Sequence, residues 1–489
     1  MSMLERSVKY VDERLGAASL ARKTLRKVFP DHWSFLLGEI ALFCLVVLIF
    51  TGVFLTFFYT PDARLLTYEG AYAPLRGQEI SAAYESTLRL SFEVRAGLIM
   101  RQTHHWAALV FVAAIVVHLC RVFFTGAFRR PRELNWVIGV VLLLLAMAEG
   151  LTGYSLPDDL LSGIGLRIVN AVVLAIPVVG TWIASLLFGG EFPAPDIIAR
   201  LFVFHVMLLP AVLLGLVGLH VAILVLQKHT QFPGPGRTER NVVGKRLWPE
   251  QTFKSVGLLM FTTAVLAGLG GLAQINPVWQ YGPYEPFNVT SPAQPDWYIG
   301  FLDGALRLAG PWSFQIFGYE ISELFLPAIV VPGIAFGIIT LWPWVERRFT
   351  KDRAEHHLLD RPRDAPLRTA TGVAGLWAFF VMFLEGGNDI FGVLLDVSVE
   401  SITRTLQVAF VVGPVVVGAA TYFICRSLKT SQLHPAKANA GLSLRRTAAG
   451  GYETAPLDPT PLEGDGHGDG DRSRPTAAVP ASEGRPPAP

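Results

Sequence analysis

Residues 101–121 read RQTHHWAALVFVAAIVVHLCR, and residues 200–220 read RLFVFHVMLLPAVLLGLVGLH. Each stretch is apolar enough to lie inside a membrane, yet each carries a histidine near both of its ends. These histidines are His104, His118, His205 and His220. Ionisable side chains inside a bilayer are costly and are functional candidates by default. The two apolar stretches therefore indicate membrane-spanning helices, and the four histidines indicate a candidate site between them.

The spacing of the histidines indicates what they bind. An α-helix turns about 100° per residue, so the 14 residues from His104 to His118 fall roughly 40° short of four turns and span about 21 Å. The 15 residues from His205 to His220 overshoot four turns by roughly 60°, which still leaves both on one face. Two such helices side by side predict two bis-imidazole sites stacked across one bilayer, which is the geometry of two haems in series.

A lone histidine in an apolar segment more often bonds to a neighbouring helix than to a metal. Two pairs with matched spacing favour ligation instead. His105 lies 13 residues before His118, roughly 140° away from the shared face. We therefore interpret His105 as a residue that is not a ligand.

The composition is that of a membrane protein with several spans. Hydrophobic residues make up 52% of the 489 residues and charged residues 16%, whereas the net charge of +2 indicates little. No CxxC or CxxCH pattern is present, so we expect buried thiols and no covalent haem attachment. The cysteines are Cys44, Cys120 and Cys425. Residues 1–33 are amphipathic rather than a cleavable signal, and we expect them to lie along the membrane surface.

The predicted fold is an all-α membrane protein of eight transmembrane helices. We expect an N-terminal segment over 1–33, a four-helix bundle for two haems over 34–230, a C-terminal four-helix region over 231–430 and a disordered tail over 431–489. The predicted spans are 36–58, 104–126, 135–156, 203–227, 254–275, 323–345, 370–391 and 405–426.

Lys and Arg residues predict the orientation of these spans. The loops 121–132, 228–254 and 345–368 hold 4, 6 and 7 of them. The alternate loops, mostly longer, hold fewer in total: 5 over 59–103, 2 over 155–202, 1 over 276–322 and 1 over 392–404. The positive-inside rule then places both termini in the cytoplasm, with His104 and His205 near the outer face of the plasma membrane.

Two of the outer loops are long enough to carry function. Residues 157–200 contain a weakly amphipathic helix, and residues 276–322 are rich in Pro, Gly, Trp and Tyr. In the tail, the run GDGHGDGD invites a metal-binding interpretation, but a solvated low-complexity segment is the commoner explanation.

Four glycines repeat the histidine interval on the neighbouring helices. A glycine inside a membrane helix usually serves close helix packing. Here the matching interval favours a second role, because only a missing Cβ lets a porphyrin face contact a helix backbone. These glycines are Gly38 and Gly52 on the first helix, and Gly139 and Gly153 on the third.

Three arginines lie near the ends of the histidine helices, where haem propionates would emerge. They are Arg101, Arg121 and Arg200. A guanidinium group suits bidentate recognition of a carboxylate. Side chains that simply reach from the helix to the membrane interface are the alternative.

Together these segments resemble the cytochrome b subunit of respiratory cytochrome bc complexes, the quinol:cytochrome c oxidoreductases. The resemblance covers most of residues 33–345 and implies non-covalent b-type haems. It pairs His104 with His205 at a low-potential haem near the outer face, and His118 with His220 at a high-potential haem near the inner face. The matching segments are residues 101–140, GLTGYSLPDD, RLFVFH and SPAQPDWYIG.

The tetrapeptide Pro295-Asp296-Trp297-Tyr298 resembles the quinol-oxidation signature of this family, which usually has Glu in the second place. By itself such a tetrapeptide is more often a surface turn. In this loop it implies that Asp296 takes a proton from quinol and that Tyr298 shapes the same pocket, with Pro295 and Trp297 beside them. The other wall is expected near Gly153–Pro157 and a helix over 157–180.

Two departures refine the resemblance. Leu36 stands where split, photosynthetic relatives tether an extra haem through cysteine, and the 15-residue spacing of His205 and His220 resembles that split branch. The combination is most similar to actinobacterial cytochrome b, which implies menaquinol as substrate by analogy. For the inner quinone site the candidates are His32, His229, Lys254 and Ser255, for which an ordinary interfacial role is at least as common.

The resemblance implies a proton-motive quinol reductase core operating a Q cycle. Its expected partners are a Rieske iron–sulfur subunit and a c-type cytochrome, with a homodimer, the lipid bilayer, a possible terminal oxidase and no nucleic acid. Two alternatives stay open: a two-haem membrane anchor of a dehydrogenase, and a haem-free transporter whose histidines relay protons.

Overall fold

The computed structural model describes residues 9–10, 12–14, 16–288, 294–433, 442–446 and 452–456. Within these residues, eight helices are long and apolar enough to cross a membrane, which confirms the predicted all-α architecture. In chain order the spanning helices are Trp33–Thr56, Gly97–Phe124, Glu133–Tyr154, Ile197–Gln227, Leu247–Leu272, Leu326–Thr350, Pro366–Gly386 and Val399–Thr430.

The remaining described elements lie in the connections and near the termini. The shorter helices are Ala17–Leu25, Ala82–Phe92, Leu160–Leu174, Gly180–Phe188, Val278–Tyr281, Gly300–Leu308 and Asn388–Leu395, with single 3-10 turns at Ala73–Leu75 and Pro362–Asp364. The antiparallel strand pairs are Val28–Phe29 with Lys245–Arg246, Leu65–Thr67 with Glu79–Ser81, Phe314–Ile316 with Tyr319–Ile321, and Leu442–Arg446 with Tyr452–Pro456.

The first four spanning helices pack around one apolar core. The first helix packs along the second, and the third packs along the fourth. Ala107 and Ala146 are buried in this core beside Val112 and Leu213. Small side chains at helix contacts let the backbones approach closely, which is how membrane helices gain packing energy without a hydrophobic drive between them.

The outward sides of the spanning helices are also apolar. Phe50 and Val53 on the first helix, Leu226 on the fourth and Phe261 on the fifth are all exposed. A helix that is apolar on every side is typical of a membrane span, because lipid surrounds whatever protein does not cover.

The cysteines are free thiols, as expected from the sequence. Cys44 and Cys425 are buried, and Cys120 is half-buried.

Several spanning helices begin before the apolar segment that predicted them. The second begins at Gly97 rather than near 104, and the fourth at Ile197 rather than near 203. Backbone hydrogen bonds continue the helix through polar turns that a hydropathy pattern does not detect. His104 and His205 therefore lie inside their helices rather than at the ends.

The fourth spanning helix contains one wide turn, Phe204–Leu208, and His205 lies within it. The Leu209 N–H donates to the Phe204 carbonyl, five residues back, which defines a π turn. Pro210 follows Leu209. It has no backbone N–H to donate, and in a regular α-helix its ring would clash with the carbonyl four residues earlier. Since a π turn accommodates one additional residue, the 15-residue interval to His220 is rotationally close to the 14-residue interval of the second helix.

The connections alternate between two ends of the bundle, which we name after their histidines. The His104 end carries the segments 57–96, 155–196, 273–325 and 387–398. At this end the helix predicted over 157–180 runs from Leu160 to Leu174, and a second helix, Gly180–Phe188, follows it in the same loop.

The His118 end carries the basic segments 125–132, 228–246 and 351–365. An ion network joins the first and the third of these segments to the spanning helices. The Arg368 side chain donates to both carboxylate oxygens of Glu346 and, over 2.8 Å, to Asp360. Asp360 also pairs with Arg129 over 3.1 Å, so the network ties the segments 125–132 and 351–365 to the sixth and seventh helices.

By its contacts the chain forms two units, residues 1–429 and 430–489. In the second unit the structure describes an antiparallel pair in which Leu444 lies opposite Thr454. Leu442–Arg446 has a local alternation of apolar and polar residues, and the disorder expected over 431–489 stays a prediction. The remainder of the tail, including GDGHGDGD at 464–471, lies outside the described residues.

Candidate functional site

His104 and His205 face each other across the bundle. Their ring centroids are 6.1 Å apart and their planes are inclined by 77°. An imidazole nitrogen binds a metal ion at about 2 Å, so two metal bonds account for about 4 Å of such a separation and the two ring radii for the remainder. The distance therefore fits two imidazoles that share one metal ion.

The second nitrogen of each of these rings has a hydrogen-bond partner. The Thr51 hydroxyl donates to the Val47 carbonyl over 2.7 Å and lies 2.9 Å from His104 Nδ1. The Glu149 carbonyl lies 3.0 Å from His205 Nδ1. A carbonyl oxygen can only accept, so the proton of His205 sits on Nδ1 and leaves Nε2 free for a metal. A proton on Nδ1 also suits His104, because the Thr51 hydroxyl already donates to Val47 and can accept from this ring.

His118 and His220 line one cavity of about 850 Å³ near the opposite end of the bundle. The cavity is lined mostly by apolar side chains around the two rings. It continues past the histidines to polar residues at the chain surface, including Asp31, His32 and Lys254. The sequence predicts that His118 pairs with His220, and in the structure both rings line the same cavity between the second and fourth helices.

Each of the four predicted glycines lies against one of the four histidines. A Cβ at Gly153 would overlap the His205 ring, and a Cβ at Gly52 would lie 3.2 Å from His104 Cε1. The same distances are 3.2 Å from Gly38 to His118 Cε1 and 3.7 Å from Gly139 to His220 Cε1. A flat group held by either imidazole pair would therefore meet a helix surface without side chains.

Two of the three predicted arginines have buried nitrogens without a partner among the described residues. These nitrogens are Nε of Arg101, together with Nε and one terminal nitrogen of Arg121. An unpaired buried guanidinium nitrogen is costly, so these positions suit an acidic group that arrives with a cofactor. Arg200 instead donates to the Leu186 carbonyl over 2.8 Å. The paired histidines, facing glycines and buried arginines together fit haem.

A second cluster surrounds Asp296 at the His104 end. His105 Nε2 lies 3.0 Å from one carboxylate oxygen of Asp296, and the Tyr298 hydroxyl donates to the other over 2.9 Å. The structure therefore places His105 against Asp296, off the face that His104 shares with His205. Sequence reasoning placed His105 off that face but did not find this partner.

Tyr298 is brought close to the third spanning helix. Its side chain is buried, and a Cβ at Gly150 would overlap its hydroxyl. Burial raises the pKa of Tyr298 well above its ordinary value, so the phenol stays protonated and remains a donor to Asp296. Trp297 is about one-third exposed, and the described contacts give Pro295 no polar role.

The two long loops of the His104 end meet beside this cluster. Asp159 is fully buried, caps the helix Leu160–Leu174 and accepts a 2.8 Å hydrogen bond from the Ser162 hydroxyl. The Tyr284 N–H donates to the Asp158 carbonyl over 3.1 Å. Burial raises the pKa of both Asp158 and Asp159 to about 6. These carboxyl groups extend the predicted wall near Gly153–Pro157.

The polar residues of the His118 end form a third cluster. Lys254 pairs with Asp31, and the Ser255 hydroxyl donates to Glu39 over 2.7 Å. His229 is buried, and burial together with nearby cations lowers its pKa to about 4, so it is neutral at pH 7. His32 packs its ring 4.6 Å from that of Phe232.

Sequence reasoning missed four residues that contact these sites: Thr51, Thr152, Glu149 and Asp159. Three carried a signal: Thr51 and Thr152 each directly precede a predicted glycine, and Glu149 is an ionisable residue inside the predicted span 135–156. Among the described residues, no group of three or more His, Cys, Asp or Glu side chains forms a separate metal site.

The fold and the histidines define a class: polytopic helical membrane proteins with two pairs of histidines inside an N-terminal bundle. Comparison with known proteins narrows the class to a family. The family model described as cytochrome b (N-terminal)/b6/petB matches residues 109–283. With relatives as similar as those below, the chain belongs to the family of cytochrome b subunits of cytochrome bc1 complexes.

The similar relatives come from several bacteria. The chain is 48% identical to the cytochrome bc1 complex cytochrome b subunit of Streptomyces coelicolor, over 87% of this chain and 78% of the relative. It is 49% identical to that of Corynebacterium diphtheriae, over 86% and 78%. It is 50% identical to that of Mycobacterium tuberculosis, over 88% and 78%.

A solved structure shows the same fold. A chain of the hyperthermophilic respiratory Complex III is 19% identical and superposes with a TM-score of 0.62, covering 85% of this chain and 99% of that one. Family membership makes this chain a haem-binding membrane subunit of an oxidoreductase. The resemblance expected from the sequence is thereby confirmed.

Proposed function

We propose that this chain oxidises quinol at the pocket around Asp296 and delivers electrons through two b-type haems to a quinone at the His118 end. One observation carries the proposal. The carboxylate of Asp296 bonds to His105, the residue next to the candidate ligand His104. Groups for the proton and for the electron of one quinol therefore lie side by side.

Asp296 is the proton acceptor of this proposal. Its two oxygens are oriented by His105 and Tyr298, so the carboxylate is held in place before a quinol arrives. Tyr298 stays a donor because it is buried, and Pro295 and Trp297 border the same space. Asp is shorter than the Glu of the usual signature, and Gly150 lets Tyr298 approach the third helix closely enough to reach Asp296.

His104 with His205, and His118 with His220, hold the two haems in this proposal. When bound, the haems supply one-electron transfer along the bundle, over roughly 20 Å from one ligand level to the other. Arg101 and Arg121 offer buried guanidinium nitrogens to acidic substituents at the two levels. The glycines keep the space beside each imidazole pair flat.

The cavity at the His118 end suits the second quinone site. It is lined mostly by apolar side chains, with Lys254, His32 and His229 among its polar groups. An apolar cleft with few convergent polar groups is typical of small-molecule sites. The Asp31 carboxylate, whose pKa Lys254 and Lys245 lower, lines this cavity and stays charged.

The orientation follows from the basic loops. All three Lys- and Arg-rich loops lie at the His118 end, and two of them meet in the Arg129–Asp360 pair. In the plasma membrane this end faces the cytoplasm, with both termini. Protons are then released outside on quinol oxidation and taken up inside on quinone reduction, as in a Q cycle.

Partners must complete the electron path. The sequence has three cysteines, no CxxCH and no iron–sulfur ligand set. We therefore assign the second electron of quinol to a Rieske iron–sulfur subunit, followed by a c-type cytochrome. A homodimer and an attached terminal oxidase belong to the same proposal, and menaquinol is the substrate by analogy with actinobacterial cytochrome b.

Haem reduction in the isolated complex tests the proposal. We expect a reduced-minus-oxidised spectrum with two b-type components, and quinol-dependent haem reduction that increases when an inhibitor blocks haem reoxidation at the quinone site of the His118 end. A spectrum without haem would support the transporter alternative. Two haems whose reduction is unaffected by the inhibitor would support a simple membrane anchor.

A further inference from the structure

The two imidazole pairs differ in the partners of their second nitrogens. At the His104 end, His205 Nδ1 lies 3.0 Å from the Glu149 carbonyl and 3.2 Å from the Glu149 carboxylate. At the other end, Nδ1 of His118 and Nδ1 of His220 are both buried without a hydrogen-bond partner among the described residues, and the Asn135 carbonyl faces the His220 ring without hydrogen-bond geometry. Among the described contacts, a carboxylate reaches only the His104 pair.

Glu149 has no other described role that would explain its position. It lies within the third spanning helix, its side chain is mostly buried, and its second carboxylate oxygen has no partner among the described residues. A carboxyl group at such a position is expensive in a membrane protein. Its one described side-chain contact is the His205 ring.

A carboxylate close to the ring nitrogen that does not bind the metal changes the reduction potential of that metal. It raises the basicity of the imidazole and so favours the more oxidised metal ion. A charged or strongly polar acceptor does so more than a neutral carbonyl. The effect needs only an acceptor in place and no change in protonation.

We propose that Glu149 is a positioning residue that lowers the reduction potential of the haem at the His104 end relative to the haem at the His118 end. The inference rests on the proposed haem ligation and deepens it. The acceptor asymmetry makes electron transfer from the His104 level to the His118 level downhill, which directs electrons away from the Asp296 pocket.

Redox titration of the purified complex tests this proposal. Glu149→Gln keeps the size of the side chain and the backbone carbonyl but replaces the carboxylate. We expect the reduced-to-oxidised ratio of one haem to rise about tenfold at fixed ambient potential, which is about 59 mV for a one-electron couple. The other haem should titrate as in the wild type, and the low-spin ferric EPR signal of the shifted haem should change.

Two matched variants complete the test. Thr51→Val removes a neutral acceptor from His104 and should shift the same haem less. Asn135→Ala, which changes a side chain beside the other pair and keeps its backbone carbonyl, should leave that haem unchanged. If Glu149→Gln loses the haem, Glu149→Asp, which retracts the carboxylate by one methylene, is titrated in its place. Unchanged potentials, or equal shifts in both haems, would overturn the role of Glu149. Complete absence of haem from the wild type would instead overturn the proposed function.

Discussion

His105 Nε2 lies 3.0 Å from Oδ1 of Asp296, although 191 residues separate the two in the chain. The other carboxylate oxygen accepts a hydrogen bond from Tyr298. A spanning helix and a long loop thus hold one carboxylate from two directions. This arrangement gives the expected proton acceptor a fixed position beside the His104 pair.

Asp296→Asn should preserve both haem spectra and assembly while lowering quinol oxidation. The amide has the size of the carboxylate but cannot take a proton, and positioned proton transfer is worth about 10²- to 10⁴-fold in rate. We expect a loss of at least about tenfold in steady-state turnover per haem, measured in membranes over a range of pH. Turnover at the wild-type rate, with the wild-type pH profile, would make this carboxylate structural.

Tyr298→Leu removes the donor to Asp296 and leaves space beside Gly150. We expect a looser pocket that lets electrons leak to oxygen, measured as superoxide produced per quinol oxidised. The conservative Tyr298→Phe variant separates the two effects, because it keeps the ring and removes only the hydroxyl. A leak as large in Tyr298→Phe as in Tyr298→Leu would assign the effect to the hydrogen bond.

His118→Ala or His220→Ala should remove one b-type haem and leave the other. Each site needs both imidazoles, and the two levels are about four turns apart. Haem content follows from the reduced-minus-oxidised spectrum. His105→Ala, whose ring faces Asp296, is the control and should retain both haems; two haems persisting in His220→Ala would refute the ligand assignment.

Gly52→Leu and Gly139→Leu should lower haem content. A Cβ at either position already approaches a candidate ligand, His104 or His220, and a branched side chain cannot share volume with a porphyrin. Gly268 is the matched control, because a Cβ there meets nothing within 4 Å among the described residues. Equal haem content in all three variants would mean that these glycines serve helix packing only.

The pH dependence of stability should depend on Asp159. Burial raises its pKa from 3.8 to about 6, so the folded state binds this proton more tightly than the unfolded state. The resulting stabilisation is complete below about pH 4 and is lost as the pH rises through about 6, a change of about 3 kcal/mol at most. Melting temperatures from pH 4 to 8 should therefore fall less in Asp159→Asn than in the wild type; parallel curves would contradict this.

A feature of the fold or of the candidate site could be predicted from the sequence when the residues that form it lie close together in the chain. The interval between His104 and His118 is local, and helical geometry converts it into a shared face. The same holds for Gly38 and Gly52. By contrast, the contact of His105 with Asp296 depends on how a distant loop folds back onto the second helix.

The π turn and the hydrogen-bond partners of the histidines could not be predicted from the spacing of histidines and glycines alone. The π turn at Phe204–Leu208 has a visible cause in Pro210, but its size depends on the helices packed around it. Glu149 carried no signal as a partner of His205, since the two residues lie 56 positions apart and on different helices. Thr51 and Thr152 were detectable only after the glycines beside them had been assigned.

The π turn has a consequence for how this family can vary. It accommodates one extra residue as a bulge, so the spacing of the two histidines on the fourth helix can be 15 or 14 residues with little change in the direction of either imidazole. We expect that deletion of one residue between His205 and His220, together with loss of Pro210, would return the helix to regular α geometry. Two chains that differ in this spacing can therefore be structurally equivalent, and the number of residues between the two histidines is a poor marker of ancestry.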